Sequence, residues 1–440
     1  MRAFRQTAAA FLGRHELLIL LLLAPLFLFP MKLTVVALLS LPLLWTCART
    51  VGSSVITRTP LDGALLLLAI MLLVSVYATP DVTYSLPKIV GLIYGIVCFY
   101  AAVRWATQSP DRLGLALLAF IFAGSLFAFI ALLGTNWLSK VPYLAEVSRK
   151  LPHSIRGLPG AAEGFHPNAV GGTLVFFIPL QLTMLASTWR KEQIGLIPWI
   201  PRPGLVAIFA QLAALALTTG ALLLSQSRGA WLGLAAGLIG VLLLHRKWTQ
   251  KVFLGLLLLG AVLLVVAGPE KAANLVTAEV GAGMKDNTTS RLELWSRAIY
   301  GIGDFPISGM GMNMFRRVMP VFYPSFTTPP DLDVAHAHNH LLQVALDLGF
   351  PGLVAYLALW LGAGSMLLMV IRLAEDQWMK DAALGLSMGL ASHFIFGIGD
   401  SVPLGAKIGI VFWMVLALVV SLFLRVCSQG SGARKETADD

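Results

Sequence analysis

Charge is what this sequence has least of. Only 12% of its 440 residues are Asp, Glu, Lys or Arg, about half the share found in soluble domains. With 57% apolar residues and a mean hydropathy of +0.80, a water-soluble globule of this size would lack the polar surface to cover itself. Cysteine is nearly missing as well. Cys47, Cys98 and Cys427 lie far apart, which excludes a disulfide framework and a CxxC metal pair. No HExxH motif and no internal repeat is found. The apolar runs are continuous and do not alternate with period two, so a membrane barrel is excluded. Intrinsic disorder and a soluble enzyme fall by the same composition.

What remains is an all-α polytopic membrane protein. A span needs about 20 apolar residues, so about 12 spans account for roughly 240 residues, close to the apolar fraction. The runs are 16–30, 33–47, 61–79, 85–106, 112–134, 167–188, 204–225, 229–244, 250–267, 341–371, 381–399 and 405–424. The first follows a basic start (Arg2, Arg5, Arg14) and leads straight into the second without a small-x-small cleavage site, so it is expected to stay as an uncleaved span. The expected organisation is helices 1–5 over 1–134, an outer loop over 135–166 and helices 6–9 over 167–267. A large outer loop over 268–340, helices 10–12 over 341–425 and a polar cytoplasmic tail over 426–440 complete it. Twelve spans put both termini on one side. If that side is cytoplasmic, its segments hold 18 of the 32 Lys and Arg, four short outer loops hold one each, and the two long loops hold the rest. This fits the positive-inside rule, which long loops escape.

The two long loops are where chemistry is expected. The first carries Lys140, Arg149, Lys150, His153, Arg156 and His166, against only Glu146 and Glu163. Such a cationic surface beside a membrane suits a phosphate-bearing ligand. Ser225-Gln226-Ser227-Arg228-Gly229 lies at the tight connection between spans seven and eight. Arg228 offers a guanidinium fork for phosphate with Ser227 beside it; a snorkelling Arg that caps a helix end accounts for it equally well. In the second loop, Ser290-Arg291-Leu292-Glu293 is expected to be a capping box with Ser290 at the N-cap. Arg291 would oppose the dipole there, which leaves anion binding or simple surface exposure as its reason. Two GxG tripeptides, 301–303 and 309–311, are either turns or backbone nests for phosphate.

His336-Ala337-His338-Asn339-His340 precedes the tenth span. On a helix His336 and His340 would share a face; on a strand all three histidines would. Asp331 and Asp333 are nearby. Three uses stand: a metal site, polar caps at the water boundary, or a general base. Asp347, His393 and Asp400 are the polar residues of the last spans, and none has an opposite charge at helical spacing. Paired intramembrane charges of the transporter kind are scarce. Gly233, Gly237 and Gly240 point to close helix packing.

These motifs together resemble a family. Many spans, SxSRG over 225–229, SRxxLW over 290–295, FPxxGxGxxxF over 305–315, HxHNxxLQ over 336–343 and a His-Pro-Asn entry at His166-Pro167-Asn168 are similar to the O-antigen ligase and polymerase superfamily. The resemblance covers about 165 to 360. It implies the broad architecture of membrane glycosyltransferases that use polyprenyl donors, in the bacterial inner membrane, with the active site facing the periplasm. The implied reaction moves O-antigen from undecaprenyl diphosphate to a sugar hydroxyl of lipid A–core in lipopolysaccharide biosynthesis. It is a direct, inverting transfer without metal or cofactor. The family's essential residues map onto Arg228, Arg291 and His338. Ser227, His336, Asn339, Arg156, His166, Asn168 and Arg297 are expected around the substrates. The expected partners are the carrier-linked donor, the lipid A–core acceptor and membrane lipids, with no nucleic acid. A soluble extension typical of protein O-oligosaccharyltransferases is not expected. The ligase is therefore favoured over an O-antigen polymerase, and over a polyprenyl-linked glycan flippase, whose cations would line the spans.

Overall fold

The computed structural model describes residues 15–30, 32–50, 57–137, 141–152, 154–155, 164–190, 205–245, 251, 282–326 and 334–439. Among them the chain is helical, and the one bridge of extended backbone pairs Thr135 with Phe165. The helices are α1 (Glu16–Leu22), α2 (Ala24–Leu28), α3 (Lys32–Thr50), α4 (Asp62–Ala78), α5 (Val82–Ala106), α6 (Pro110–Gly134) and α7 (Pro142–Arg149). They continue with α8 (Pro167–Leu174), α9 (Phe177–Trp189), α10 (Leu205–Leu224), α11 (Arg228–His245), α12 (Ala282–Asp304), α13 (Phe315–Phe322), α14 (His340–Leu373), α15 (Gln377–Gly399) and α16 (Ile410–Asp439). Seven segments among the described residues are long and apolar enough to cross a membrane: α5, α6, Pro167–Trp189, α10, α14, α15 and Lys407–Gln429. Asp62–Ala78 and Arg228–Leu243 are apolar but shorter. The chain is thus a polytopic helical membrane protein. The ninth apolar run, 250–267, lies outside the described residues except for Lys251. The last helix continues through the polar residues after Arg425.

Small residues set the closest helix contacts. A Cβ on Gly233 would stand 2.6 Å from the Ser392 carbonyl, and one on Gly237 would stand 2.2 Å from the Ser392 hydroxyl. Residues 233 and 237 lie on one face of α11, so that face seats directly on α15. At the far end of the bundle two ion pairs, Arg104 with Glu16 and Arg190 with Asp381, join elements distant in sequence. Glu16 and Arg104 are both buried, and a charge taken out of water survives only when it is paired.

The tenth apolar run is one continuous helix in sequence terms but is broken in space. Gly349 has φ +70, ψ −179 in the middle of α14, two residues before Pro351. Pro351 has no N–H and displaces the carbonyl four residues earlier, that of Asp347. A break inside a bilayer is tolerated only if the freed backbone groups find other partners, and three of them find theirs in neighbouring segments. Ser75 Oγ donates to the Asp347 carbonyl at 2.8 Å. Met310 N donates to the Leu346 carbonyl at 2.7 Å, and Phe350 N donates to the Pro306 carbonyl at 2.7 Å. The FPxxGxG segment is therefore the clasp of the kink. Gly309 N closes the segment's own turn on Phe305 O, Met310 N goes to Leu346 O, and Met312 N goes to Ser75 Oγ. This decides between the two uses of the second GxG in favour of the turn, with Gly309 and Gly311 at φ +68 and +100.

Candidate active site

The break in α14 lets its first half, 340–348, present its N-terminus beside the C-terminus of α15. Asn339 caps the half-helix, its Oδ1 accepting from Leu341 N at 2.9 Å and Leu342 N at 3.1 Å. Its Nδ2 donates to the Ile398 carbonyl at 3.1 Å, which ties the two helix ends together. Just before it, His338 holds φ +48, a left-handed conformation that costs roughly 1–2 kcal/mol outside glycine. The Asn339 cap contributes about 1 kcal/mol against this. A second hold comes from Gln343, whose Oε1 accepts from Ala337 N at 2.9 Å. HxHNxxLQ is thus a device for fixing one imidazole.

That imidazole meets Asp400, the residue that ends α15. His338 Nδ1 lies 3.1 Å from Asp400 Oδ1. Asn168 Nδ2 donates to Oδ2 at 2.7 Å and Ser401 N to Oδ1 at 2.8 Å. Arg291 Nη2 stands 3.8 Å from Oδ2. Burial alone would raise the Asp400 carboxyl. The hydrogen bond and charge of His338, with His336 and Arg291 behind it, outweigh burial and hold the carboxyl below the usual carboxylate range. An ionised Asp400 takes the Nδ1 proton of His338 as its hydrogen-bond donor, which leaves Nε2 as the acceptor. The His338 side chain is 26% exposed, so the imidazole is reachable. His336 packs against it with ring centroids 4.4 Å apart and accepts from His338 N at 3.2 Å through Nδ1. Burial, then the neighbouring His338, push the His336 pKa down to about 3, so His336 stays neutral.

The expected residues divide as follows. His338, Arg291 and Asn168 meet on one carboxylate, with His336 against His338 and Asn339 holding the frame. His166, the N-cap residue of α8, is exposed and close enough for its charge to be felt at His336. Arg228 opens α11 and is exposed; it is not among the groups on Asp400. A Cβ on its neighbour Gly229 would stand 3.6 Å from the Phe396 ring, one turn before Asp400. Ser227 is buried, and its backbone closes the turn: its N donates to Ser225 Oγ and its carbonyl accepts from Trp231 N. Arg297 pairs with Glu293 at 3.5 Å and lies over the Phe326 ring. Arg156, Asp331 and Asp333 lie outside the described residues.

Three expectations are corrected. Ser290 is no N-cap, because α12 starts at Ala282 and runs through it; the polar stretch before Ser290 joins the helix. Glu293 instead anchors the loop after α13, accepting from Ser325 Oγ and Phe326 N, both at 2.6 Å. Arg291 accordingly works from mid-helix. His340 does not share a face with the other histidines. It is 2% exposed, bonded through Nδ1 to Tyr356 Oη at 3.0 Å and ringed by Tyr356, Trp360 and Phe394. The compact cluster that does form is His336, His338 and Asp400, with ligand atoms within 4.8 Å of one another. Asp400 itself lacks no partner: its partners come from 62, 109 and 232 residues away in sequence, where helical spacing offers no signal. Its one sequence cue is an acid in a turn, Gly399-Asp400-Ser401, on a side rich in cations.

Residues 213–357 match the O-antigen ligase family. The match takes in Arg228, Arg291, His336, His338 and Asn339 and stops short of Asn168 and Asp400. No curated protein matches the chain.

Proposed function

From the match of residues 213–357 to the O-antigen ligase family, we propose that this membrane protein is an O-antigen ligase. In this reading it works at the periplasmic face of the bacterial inner membrane, with both termini cytoplasmic. The donor is O-antigen on undecaprenyl diphosphate and the acceptor a sugar hydroxyl of lipid A–core. The observation that carries the reading is the His338–Asp400 contact of 3.1 Å with Arg291 on the same carboxylate.

The chemistry then runs as a single displacement. The acceptor hydroxyl gives its proton to His338 Nε2, and its oxygen bonds to the anomeric carbon of the donor. The bond from that carbon to the diphosphate breaks, and its electron pair leaves on phosphate. Asp400 keeps the proton on Nδ1 and stabilises the imidazolium as it forms, as in the serine-protease triad. Arg291 and Arg228 face the charge that builds on the leaving diphosphate. Such donors are already activated, so no nucleotide is required.

The His336–His338–Asp400 cluster also supports a second reading, a metal-assisted one. Against it stands the guanidinium of Arg291 on Asp400, which repels a dication, and the use of His336 Nδ1 as an acceptor for His338 N. Purified protein is incubated with carrier-linked glycan and lipid A–core, with and without EDTA. Joined product that survives EDTA is expected. Product lost to EDTA and restored by Zn²⁺ would establish the metal reading. Chains that lengthen on the carrier without an acceptor would establish a polymerase.

A further inference from the structure

One side chain joins the clasp of the kink to the segment that carries His338. Gln343 is buried on the first turn of the half-helix 340–348. Its Oε1 accepts from Ala337 N at 2.9 Å, and its Nε2 donates to Asp347 Oδ1 at 3.0 Å. Asp347 stands four residues on, the spacing that puts two side chains on one helix face. Chemistry fixes the direction of the amide. A backbone N–H only donates, so the amide oxygen has to face Ala337, and this turns Nε2 to the Asp347 oxygen. Met, of similar length, offers Ala337 N only a weakly accepting sulfur and gives Asp347 no donor. An ionised Glu accepts from Ala337 N but has no donor for Asp347.

Both ends of this bridge are themselves fastened. Asp347 Oδ1 also accepts from Asn313 N at 3.2 Å, and Asn313, at φ +65, is tied to α5 by Nδ2 donating to the Tyr84 carbonyl at 3.2 Å. One residue earlier, Met312 N donates to Ser75 Oγ of α4 at 2.8 Å, and the Met312 carbonyl accepts from Ser85 Oγ of α5 at 2.6 Å. The residues after the FPxxGxG glycines are therefore set by two helices, and Asp347 is bonded to them. At the other end, Ala337 is fully buried and is followed directly by His338. The left-handed φ of +48 at His338 is thus bracketed. The Asn339 cap fixes the residue after it, Gln343 fixes the residue before it, and His336 Nδ1 takes its own N–H.

We propose that Gln343 is a positioning residue for His338. It carries the fixed geometry of the clasp, through Asp347 and Ala337, to the imidazole, and so keeps Nδ1 on Asp400 and Nε2 open as the acceptor. The effect on turnover rests on the reading of His338 as the general base; the geometry does not.

The test compares the full-length unmodified protein with Gln343→Met, which keeps the length of the side chain and loses both hydrogen bonds. The first measurement needs no substrate. Histidine is labelled with ¹⁵N, the protein is placed in lipid nanodiscs, and the His338 ring signals are identified by their absence from His338→Gln. At about pH 8.5, where imidazoles are neutral, the unmodified protein is expected to show one tautomer, protonated on Nδ1, and Gln343→Met a mixture of two. The second measurement is kinetic. In Gln343→Met, kcat should fall by about 10²-fold, the scale of a misplacement of about 1 Å, while KM for donor and acceptor stays within about twofold. A single Nδ1-protonated tautomer with full turnover in Gln343→Met, or a rise in KM at unchanged kcat, refutes the role. Gln343→Glu/Asp347→Asn keeps the net charge of the pair and an acceptor for Ala337 N, and is expected to recover the single tautomer and most of the turnover. Equal losses in this protein and in Gln343→Met would show that the bond to Ala337 is not what places the imidazole. If Gln343→Met does not fold, hydrogen exchange in the unmodified protein decides. Its Ala337 amide should exchange more than about a hundredfold slower than an unstructured amide, and exchange at the unstructured rate would overturn the proposal. If the protein joins no glycan at all, the tautomer and exchange measurements still test the positioning, and only the ligase reading is lost.

Discussion

Two carboxylates flank the first half of α14, and both are almost fully buried: Asp400 is 4% exposed and Asp347 3%. Their surroundings differ. Asp347 is bonded to the Gln343 amide and Asn313 N, while its own carbonyl takes the Ser75 hydroxyl. All of these groups serve the kink. Asp400 is bonded to His338 and faced by Arg291, whose side chains are 26% and 37% exposed. Burial by itself is therefore a poor marker of chemistry. A carboxylate whose partners are tied into the backbone holds a shape; one whose partners reach outward lends its charge to groups that a substrate can touch.

The sharpest way to break this contrast is at His338. His338→Ala is expected to lower turnover by about 10²–10⁴-fold, the usual scale for a lost general base, while binding of carrier diphosphate stays intact. Loss of donor binding equal to that in Arg228→Ala would instead make His338 a donor-binding residue. The pH profile adds a second reading. His336, pushed down to about 3, is neutral across the working range, and Asp400 is ionised throughout it. A rate that falls with acid between pH 8 and 5 therefore reports neither of these two groups. Stability has its own sign. A histidine held neutral in the fold costs stability as pH falls from its unfolded value of ~6.5 towards 3. His336→Gln should accordingly melt with less acid dependence over that window than the unmodified protein.

Asp400→Asn comes next. The shape of the cluster is kept, but the amide can offer a donor to His338 and lets the wrong tautomer form. A fall of up to about 10⁴-fold is expected, the scale of the same change in the serine-protease triad, with melting temperature little changed. Asp347→Asn should show the opposite pattern, a lower melting temperature and near-normal turnover of the folded protein. If the two variants behave alike, the contrast between the carboxylates fails.

Ser75→Ala sharpens the structural side. Its hydroxyl bonds both the Asp347 carbonyl and Met312 N, and its loss leaves two buried backbone groups without that partner, at about 1–3 kcal/mol each. A lower thermal midpoint in detergent is expected, with the surviving protein still active. An unchanged midpoint would show that the kink does not depend on this bond.

These contrasts were only partly legible in the sequence. The helical, membrane-spanning class follows from composition and run length, and the matched family from motif order. The motifs named His338 and Arg291 but not what brings them together, since Asp400 and Asn168 meet them only through the fold. Local rules also misled. The capping box at Ser290 obeys good helix-start chemistry, yet α12 runs through it, and a capping preference is worth only about 1 kcal/mol. The glycines of FPxxGxG were open to use as turns or as phosphate nests, and only an accounting of the freed carbonyls of α14 shows that Met310 N, between them, is spent on the broken helix.

The smallest effect is expected two residues from the largest. His340 shares a five-residue segment with His338, and any scheme that uses the segment as a metal cluster on one face of a helix needs it. Its ring instead sits among Tyr356, Trp360 and Phe394, with Gly397 packed against it. Nδ1 bonds Tyr356 Oη at 3.0 Å, while Nε2 is buried with no hydrogen-bond partner among the described residues. Replacing a half-satisfied buried polar ring by an apolar one relieves one desolvated nitrogen but takes a partner from the buried Tyr356 hydroxyl, at about 1–3 kcal/mol. His340→Phe should therefore keep turnover within about twofold and lower stability by no more than about 1–3 kcal/mol. The closeness of Gly397 makes the larger ring a demanding fit, so His340→Leu serves as a second variant that fills less space. If both variants lose turnover as fully as His338→Ala while remaining folded, His340 takes part in the chemistry and the division between the two histidines is wrong.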